Sequence, residues 1–187
     1  THVDTASSVR NDIAALRKSA AAEVPAPQVL LGHSLGGLVA LRYLQTAPQG
    51  LAATVVTSPW LDLAMPTATW KLLAALVLAD VAPGLGMPTG LDTSLLSTDP
   101  AVGLAADSDP LYHQRMTPRA WHEILSAQRA VVAERDRVSG PLLMLLAGDD
   151  RIVSRRAAES FGRSLPTPAR CVVYDGMFHE ILNEPGR

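Results

Sequence analysis

Residues 28–37 read QVLLGHSLGG, and the fold class can be inferred from these ten residues outward. Its first four residues form a short apolar run, which is typical of a parallel strand buried on both faces. Beyond the turn, Leu38, Leu41 and Leu44 follow one another at helical spacing, which predicts a helix that ends near Pro48. The sequence therefore places a Gly-x-Ser-x-Gly pattern at the point where a strand becomes a helix.

Ser34 is the middle residue of that pattern. A tight strand-to-helix turn holds its central residue in a strained conformation that exposes the side-chain oxygen, and glycines at Gly32 and Gly36 remove Cβ atoms that would clash. The helix also directs its positive dipole end and first N–H groups at this point, so the Leu35 N–H is a candidate oxyanion donor. The pattern occurs as a plain tight connection or an anion-binding loop as well. Its position between strand and helix favours Ser34 as a nucleophile.

Strands and helices alternate along the rest of the core. Apolar runs predict strands at 53–57, 142–147 and 170–174, and helical spacing predicts helices at 5–23 and 154–164. This alternation is typical of an α/β fold with a parallel sheet. Right-handed crossovers place the four strands side by side, with the strand at 28–31 on the edge.

Residues 60–139 differ from the rest of the chain in composition and in predicted secondary structure. They hold all three tryptophans, a Pro- and Gly-rich loop, and two helical stretches, about 67–79 and 118–136, with no strand between them. We expect this segment to be a helical cap inserted into an α/β core that is made of the residues on either side, 1–59 and 140–187.

Several cap residues are more apolar than a segment outside the core requires. We take four of them as candidate substrate-binding residues: Leu72, Leu76 and Val77 in the first helix, and Leu85 in the loop at 81–90. Lining an apolar pocket or transient contact with a membrane surface explains them, and packing of the cap on itself explains them equally well.

A nucleophilic serine needs a base, and the base needs a carboxylate to orient it. His179 follows the last predicted strand, and Asp149 and Asp150 follow the strand at 142–147. Because the carboxyl ends of parallel strands meet at one rim, we expect these residues beside Ser34. Asp150 is the favoured partner of His179, with Asp149 capping the turn or the next helix. The alternative is that Gly-Asp-Asp is an ordinary turn.

Composition argues against several other classes of protein. Sixteen Lys and Arg against 18 Asp and Glu give a net charge of -2, which does not suit a nucleic-acid partner. The longest apolar run, 72–79, is much shorter than the roughly 18 residues of a membrane span. Cys171 is the single cysteine, which excludes a disulfide framework within the chain and suits a cytoplasmic protein. No ligand spacing for a metal is evident, and we expect no cofactor.

Four histidines are expected to stand outside the chemistry. His2 lies near the terminus, His113 and His122 lie in the cap, and His33 is expected to pack and hydrogen-bond beneath the turn. Only His179 lies beyond a core strand and downstream of the acid, which is where a general base is needed.

Six short motifs of the sequence resemble those of one known family. They are GHSLGG at 32–37, Ser-Pro at 58–59, LDTSLLS at 91–97, SDPL at 108–111, DRIV at 150–153 and FHEILNE at 178–184. With them the chain resembles the monoacylglycerol lipase and lysophospholipase group of α/β hydrolases, which is of the serine aminopeptidase S33-like type. Many hydrolases share the first phrase, whereas the cap phrases and the final His-Glu-x-x-x-Asn-Glu are far more particular.

The resemblance implies an α/β-hydrolase fold and a triad of Ser34, Asp150 and His179. It also implies hydrolysis of an acyl ester in a monoacylglycerol or lysophospholipid through an acyl-enzyme, with an acyl tunnel formed by the cap helices. The substrate is then a small lipid or ester. Two alternatives stay open: an acyltransferase that uses the same triad, and a non-catalytic ligand-binding module.

The chain departs from the family pattern upstream of Ser34. The family carries a His-Gly loop after an early strand, whose backbone N–H completes the oxyanion hole, and no such loop precedes Ser34 here. The chain also stops at Arg187, where the family's final helix would begin. We therefore expect the carboxyl-terminal part of an α/β-hydrolase sheet, truncated at both ends, that is aggregation-prone and nearly inactive when expressed alone.

Overall fold

The computed structural model describes residues 6–24, 27–46, 48–65, 75 and 77–186. Its strands are β1 (Gln28–His33), β2 (Leu51–Thr57), β3 (Met87–Pro88), β4 (Arg115–Met116), β5 (Leu142–Ala147) and β6 (Arg170–Tyr174). Its helices are α1 (Ala6–Glu23), α2 (Leu35–Leu44), α3 (Pro100–Ser108), α4 (Pro118–Ala133) and α5 (Arg155–Ser164). The elements predicted for the core are all present, and their bounds agree within two residues except at the end of α2, which stops at Leu44 and not near Pro48.

The main sheet is parallel throughout and has the strand order β1-β2-β5-β6. This order confirms that the four strands lie side by side in chain order and that β1 forms an edge. The two central strands carry fully buried side chains, Val56 on β2 and Met144 on β5. Their burial fits the near-continuous apolar runs that identified them.

Strand β1 is an exposed edge of the sheet in the described chain, although its apolar run is typical of a strand buried on both faces. Leu30 packs against the hydrophobic core, whereas Val29 and Leu31 are 60% and 56% exposed. Side chains alternate along a strand, so Val29 and Leu31 share the face opposite to Leu30. The apolar run therefore places one residue of β1 in the core and leaves its neighbours uncovered.

Helix α2 connects the sheet to the remaining helices. Its residues Leu38, Leu41 and Leu44 are buried in a core that also includes Val131 of α4 and Phe161 of α5. The helical spacing that predicted α2 is therefore the spacing of its buried side. Because α2 packs on β1, β2 and α4, the turn that precedes it has a rigid support.

The part of the chain between β2 and β5 differs from the expected pair of helices. Strands β3 and β4 pair in an antiparallel way, and α3 is a helix that was not predicted. Helix α3 begins with Asp99, whose side chain accepts a hydrogen bond from the Ala101 N–H, and with Pro100 in its first turn. Cap and proline together are a helix-start signal that the sequence already contained.

Most of the first helix predicted for this region lies outside the described residues, including Leu72 and Leu76. Residues 77–81 are helical, and small Ala75 and Ala79 are buried there. Val77 is 62% exposed, and Leu85 in the following loop is 51% exposed. The described residues therefore leave Val77 and Leu85 largely uncovered. In the part of the chain that the structure describes, no helix is both long and apolar enough to cross a membrane.

Candidate active site

Ser34 occupies a strained turn between β1 and α2. Its backbone has φ 52° and ψ -116°, a conformation that residues other than glycine seldom adopt. The Ser34 N–H donates to the Thr57 carbonyl at 3.0 Å, and the Ser34 carbonyl accepts from the N–H groups of Leu38 (3.1 Å) and Trp60 (3.0 Å). Hydrogen bonds on both sides of the residue thus hold the strained conformation in place.

Two glycines make room for this turn, and they are not the two that the pattern suggests. A Cβ atom on Gly32 would collide with the carbonyl oxygen of Gly36, and one on Gly37 would lie 2.9 Å from the Cβ of Pro59. A Cβ atom on Gly36 would meet nothing within 4 Å. The expectation that Gly36 relieves a clash through its own missing Cβ is therefore wrong, and Gly32 and Gly37 have that role.

Ser34, His179 and Asp150 lie in one hydrogen-bonded line. The Ser34 Oγ is 3.0 Å from His179 Nε2, and His179 Nδ1 is 2.8 Å from Asp150 Oδ2. A carboxylate only accepts hydrogen bonds, so Nδ1 carries the proton toward Asp150 and Nε2 is left to accept from the serine hydroxyl. The second Asp150 oxygen accepts from the N–H groups of Ile152 and Val153, each at 2.9 Å. This arrangement can move a proton from a hydroxyl to an imidazole.

Asp149 is turned away from this line. Its side chain is exposed, while its backbone N–H donates to the Met177 carbonyl at 3.0 Å. The expected capping role of Asp149 at the next helix is wrong, because Ser154 is the cap of α5 and accepts from the Ala157 N–H. Asp150 is the carboxylate that reaches His179.

His33 packs beside the imidazole of His179, with ring centroids 4.8 Å apart and planes tilted by 55°. Its Nδ1 lies 2.8 Å from the hydroxyl of Thr57, a buried residue on β2. Burial and the nearby His179 lower the pKa of His33 below its ordinary value of 6.5. His33 is therefore neutral near neutral pH. The sequence predicted a packed, hydrogen-bonded His33 but not its contact with His179.

The Leu35 N–H opens helix α2 directly after Ser34. The first N–H groups of a helix have no carbonyl partner within the helix, and they carry its positive end. The Ser34 side chain makes no capping hydrogen bond to these groups. The Ser34 oxygen instead lies 3.0 Å from His179 Nε2, so it does not occupy the N–H groups at the start of α2.

The other residues that the sequence singled out lie elsewhere. His113 and His122 are exposed, and His2 lies outside the described residues. Burial and the neighbouring Glu159 raise the pKa of the Cys171 thiol, with Arg163 acting in the opposite sense, which keeps the thiol protonated and unreactive. Among the described residues, no group of three His, Cys, Asp or Glu side chains is placed to hold a metal ion.

A parallel α/β sheet whose first described strand ends in a strained serine, with a histidine and an aspartate from later strand ends beside it, defines the class of α/β hydrolases. Within that class the chain belongs to the serine aminopeptidase S33 family (Hydrolase_4), whose model matches residues 1–186. The family resemblance found in the sequence is thereby confirmed.

Individual relatives agree with this assignment. The chain is 30% identical over 164 residues to the phospholipase YtpA of Bacillus subtilis and 28% identical over 161 residues to a monoacylglycerol lipase of Mycolicibacterium smegmatis. These matches cover 86% and 85% of this chain, but the chain spans only 63% and 57% of the two relatives. The crystal structure of a monoacylglycerol lipase from Paleococcus ferrophilus superposes with a TM-score of 0.87 at 28% identity, over 99% of this chain and 70% of that one.

Proposed function

We propose that the protein is a serine ester hydrolase that cleaves acyl esters of the monoacylglycerol or lysophospholipid type through an acyl-enzyme. The observation that carries this proposal is the continuous line from Ser34 Oγ through His179 to Asp150, with hydrogen-bond distances of 3.0 and 2.8 Å. A serine alone is a weak nucleophile, and a base in contact with it, itself oriented by a carboxylate, makes it an effective one.

The reaction follows from the roles of these atoms. Ser34 Oγ attacks the ester carbonyl while His179 Nε2 takes its proton, and the oxyanion that forms is stabilised by the Leu35 N–H. His179 then returns the proton to the leaving alcohol, which leaves the acyl group on Ser34. Water repeats the sequence with His179 as the base, releasing the fatty acid and restoring Ser34.

The electrostatics around His179 suit this role. His179 becomes a cation when it takes the proton, and Asp150 stabilises that cation through the hydrogen bond to Nδ1. The pKa of His33 is lowered, so the ring that packs against His179 stays neutral and does not repel the cation. Asp150 thus stabilises the cation that forms in the transition state, and His33 does not oppose it.

The segment 60–139 acts in this proposal as a cap that binds the acyl chain, with 1–59 and 140–187 as the core. Small alanines face inward at 75 and 79, whereas Val77 and Leu85 stay exposed. Exposed apolar side chains on one segment suit contact with a lipid chain or a membrane surface. Leu72 and Leu76 are proposed to share this role on the sequence pattern alone.

The choice of a lipid ester is supported by the relatives, which are named as a phospholipase and a monoacylglycerol lipase. A cytoplasmic location is also part of the proposal. It is supported by the unpaired Cys171, because a chain with a single cysteine needs no oxidising compartment to fold.

Product analysis tests the proposed reaction. The protein as its gene encodes it is incubated with a long-chain monoacylglycerol and with a lysophospholipid, and the released fatty acid is measured with and without added short-chain alcohol. Free fatty acid as the main product supports a hydrolase, whereas transfer of most acyl groups to the alcohol indicates an acyltransferase. Tight binding of the lipid with neither product indicates a ligand-binding module and contradicts the proposal.

A further inference from the structure

Glu184 is a buried carboxylate that the proposed reaction does not use. Its side chain is among the large side chains with less than 2% exposure. One carboxylate oxygen, Oε1, accepts from the Phe178 N–H at 2.7 Å and from the Thr98 N–H at 3.0 Å. The other oxygen, Oε2, accepts from the Thr98 hydroxyl. Buried acidic groups are rare and are found where they are fully hydrogen-bonded, as here.

These bonds join two parts of the chain that are far apart in sequence. Phe178 immediately precedes His179, and Thr98 lies between β3 and α3. Two further bonds join the same two segments. The Glu180 N–H donates to the Leu96 carbonyl at 2.7 Å, and the Ser97 hydroxyl donates to the Asn183 carbonyl at 3.1 Å. We call residues 177–184 the histidine loop and residues 96–99 the seam.

We propose that Glu184 is a positioning residue, which fixes the histidine loop against the seam so that the His179 imidazole meets both Ser34 and Asp150. This inference rests on the proposed function, because it assigns Glu184 a part in the same reaction. The imidazole has to keep two hydrogen bonds in line at once. An error of about 1 Å in such a position can cost about 10²-fold in rate.

The charge of Glu184 contributes to this role. Burial raises the pKa of its carboxyl group, but the hydrogen bonds from Thr98 and Phe178 outweigh burial, and the net pKa lies below its ordinary value of 4.5. Glu184 is therefore ionised at neutral pH, and hydrogen bonds to an ionised acceptor are roughly twice as strong as neutral ones. The Phe178 backbone is thus held by a charge-assisted bond one residue away from His179.

Two substitutions at Glu184 separate geometry from charge. In Glu184→Ala the Phe178 and Thr98 N–H groups lose their acceptor inside a buried site, which frees the histidine loop. In Glu184→Gln the amide oxygen can still accept from both N–H groups, while the Thr98 hydroxyl turns to accept from the amide nitrogen. We therefore expect the glutamine variant to retain most of the geometry.

The test combines turnover with a spectroscopic readout. We expect Glu184→Ala to lower kcat for a water-soluble acetate ester by about 10²-fold with little change in KM, and Glu184→Gln to recover activity to within about tenfold of wild type. By NMR, the low-field signal of the Nδ1 proton between His179 and Asp150 is expected to broaden or vanish in Glu184→Ala and to persist in Glu184→Gln.

Asp107→Asn is the matched control. Asp107 also accepts from a threonine hydroxyl, that of Thr93, and its described hydrogen bonds all stay within the segment 60–139. A loss of stability in this variant with unchanged kcat would show that weakening the segment alone does not disturb the reaction. If Glu184→Ala fails to fold, Thr98→Val removes one bond to Oε2, with Thr98→Ser as its conservative rescue.

The two proposals fail in different ways. A wild-type protein that hydrolyses no ester contradicts the proposed function, while the His179 proton signal in the Glu184 variants still tests the positioning role. Unchanged kcat together with an unchanged His179 signal in Glu184→Ala would overturn the inference, even if the wild-type protein is a fully active esterase. Equal losses in the alanine and glutamine variants would also overturn it, because a positioning role requires rescue by glutamine.

Discussion

The Asp150 carboxylate is shared between His179 and the backbone of its own loop. Oδ2 lies 2.8 Å from His179 Nδ1, while Oδ1 accepts from two backbone N–H groups at 2.9 Å. The side chains of Asp150 and His179 are only 2% and 5% exposed. Because Asp150 and His179 are buried and hydrogen-bonded, they are held in one orientation. A carboxylate must be held in this way to fix the tautomer of a histidine base.

Substituting Asp149 and Asp150 one at a time tests this relationship. We expect Asp150→Asn to lower kcat by about 10³- to 10⁴-fold, because an amide at this position favours the wrong tautomer of His179. Asp149→Asn is the matched control and should stay within about threefold of wild type, since the Asp149 side chain is exposed. Steady-state kinetics on a soluble ester measure both, and the reverse ranking of the two variants would contradict the assignment of Asp150.

The glycines of the serine turn provide a second prediction. We expect Gly32→Ala to lower the free energy of unfolding by about 3 kcal/mol, because its Cβ would collide with the Gly36 carbonyl, which belongs to the rigid start of α2. Gly36→Ala should be within about 1 kcal/mol of wild type, on the stabilising side, because its Cβ would enter open space in a helix. Urea unfolding of both variants checks this. Equal destabilisation would show that the spacing around the turn differs from that described here.

A third prediction concerns the pH dependence of stability. The pKa of His33 is lowered below 6.5 in the folded protein by burial and by His179, so the unfolded chain takes up a proton at a higher pH than the folded one. The stability that neutral His33 contributes is present above about pH 6.5 and is lost as the pH falls through the lower folded pKa. We therefore expect Tm to fall less steeply between pH 7.5 and 5.5 in His33→Asn than in wild type.

His122→Asn is the control for this measurement, since His122 is exposed and is expected to leave the slope unchanged. The two histidine variants are compared by thermal unfolding at several pH values in the same buffer series. A slope in His33→Asn that equals the wild-type slope would show that His33 is not held neutral by its surroundings.

A fourth prediction concerns the apolar side chains of the proposed cap. We expect Val77→Asp to lower kcat/KM for a long-chain monoacylglycerol by about tenfold or more, while a soluble acetate ester is hydrolysed almost as before, because only the long chain gains from apolar contact. Val132→Asp is the control, since Val132 on α4 is also exposed and lies in the same segment. Equal losses on both substrates in Val77→Asp would indicate a folding defect and would count against a binding role.

The sequence predicted the parts of this structure in which one physical requirement dominates. Buried central strands such as β5 need continuous apolar runs, and α2 needs its leucines on one side. Both elements can therefore be predicted from the sequence. The order Ser34, Asp150, His179 along the chain was informative for the same reason, because parallel strands bring their carboxyl ends to one rim.

What the sequence did not predict depends on contacts between distant segments. Strands β3 and β4 have two residues each, too few to show any periodicity. The role of Glu184 depends on Thr98, which is 86 residues away and carries no motif that points to it. The sequence likewise does not predict the open space around Gly36, because the Gly-x-Ser-x-Gly motif does not show which glycine is tightly packed.

Covalent labelling shows directly whether Ser34 is the nucleophile. The protein as its gene encodes it is treated with a fluorophosphonate ester, and the modified residue is located by mass spectrometry of its peptides. We expect about one equivalent of label on Ser34, no label in Ser34→Ala, and a loss of several orders of magnitude in ester turnover in that variant. Label on another serine, or wild-type turnover in Ser34→Ala, would contradict the claim.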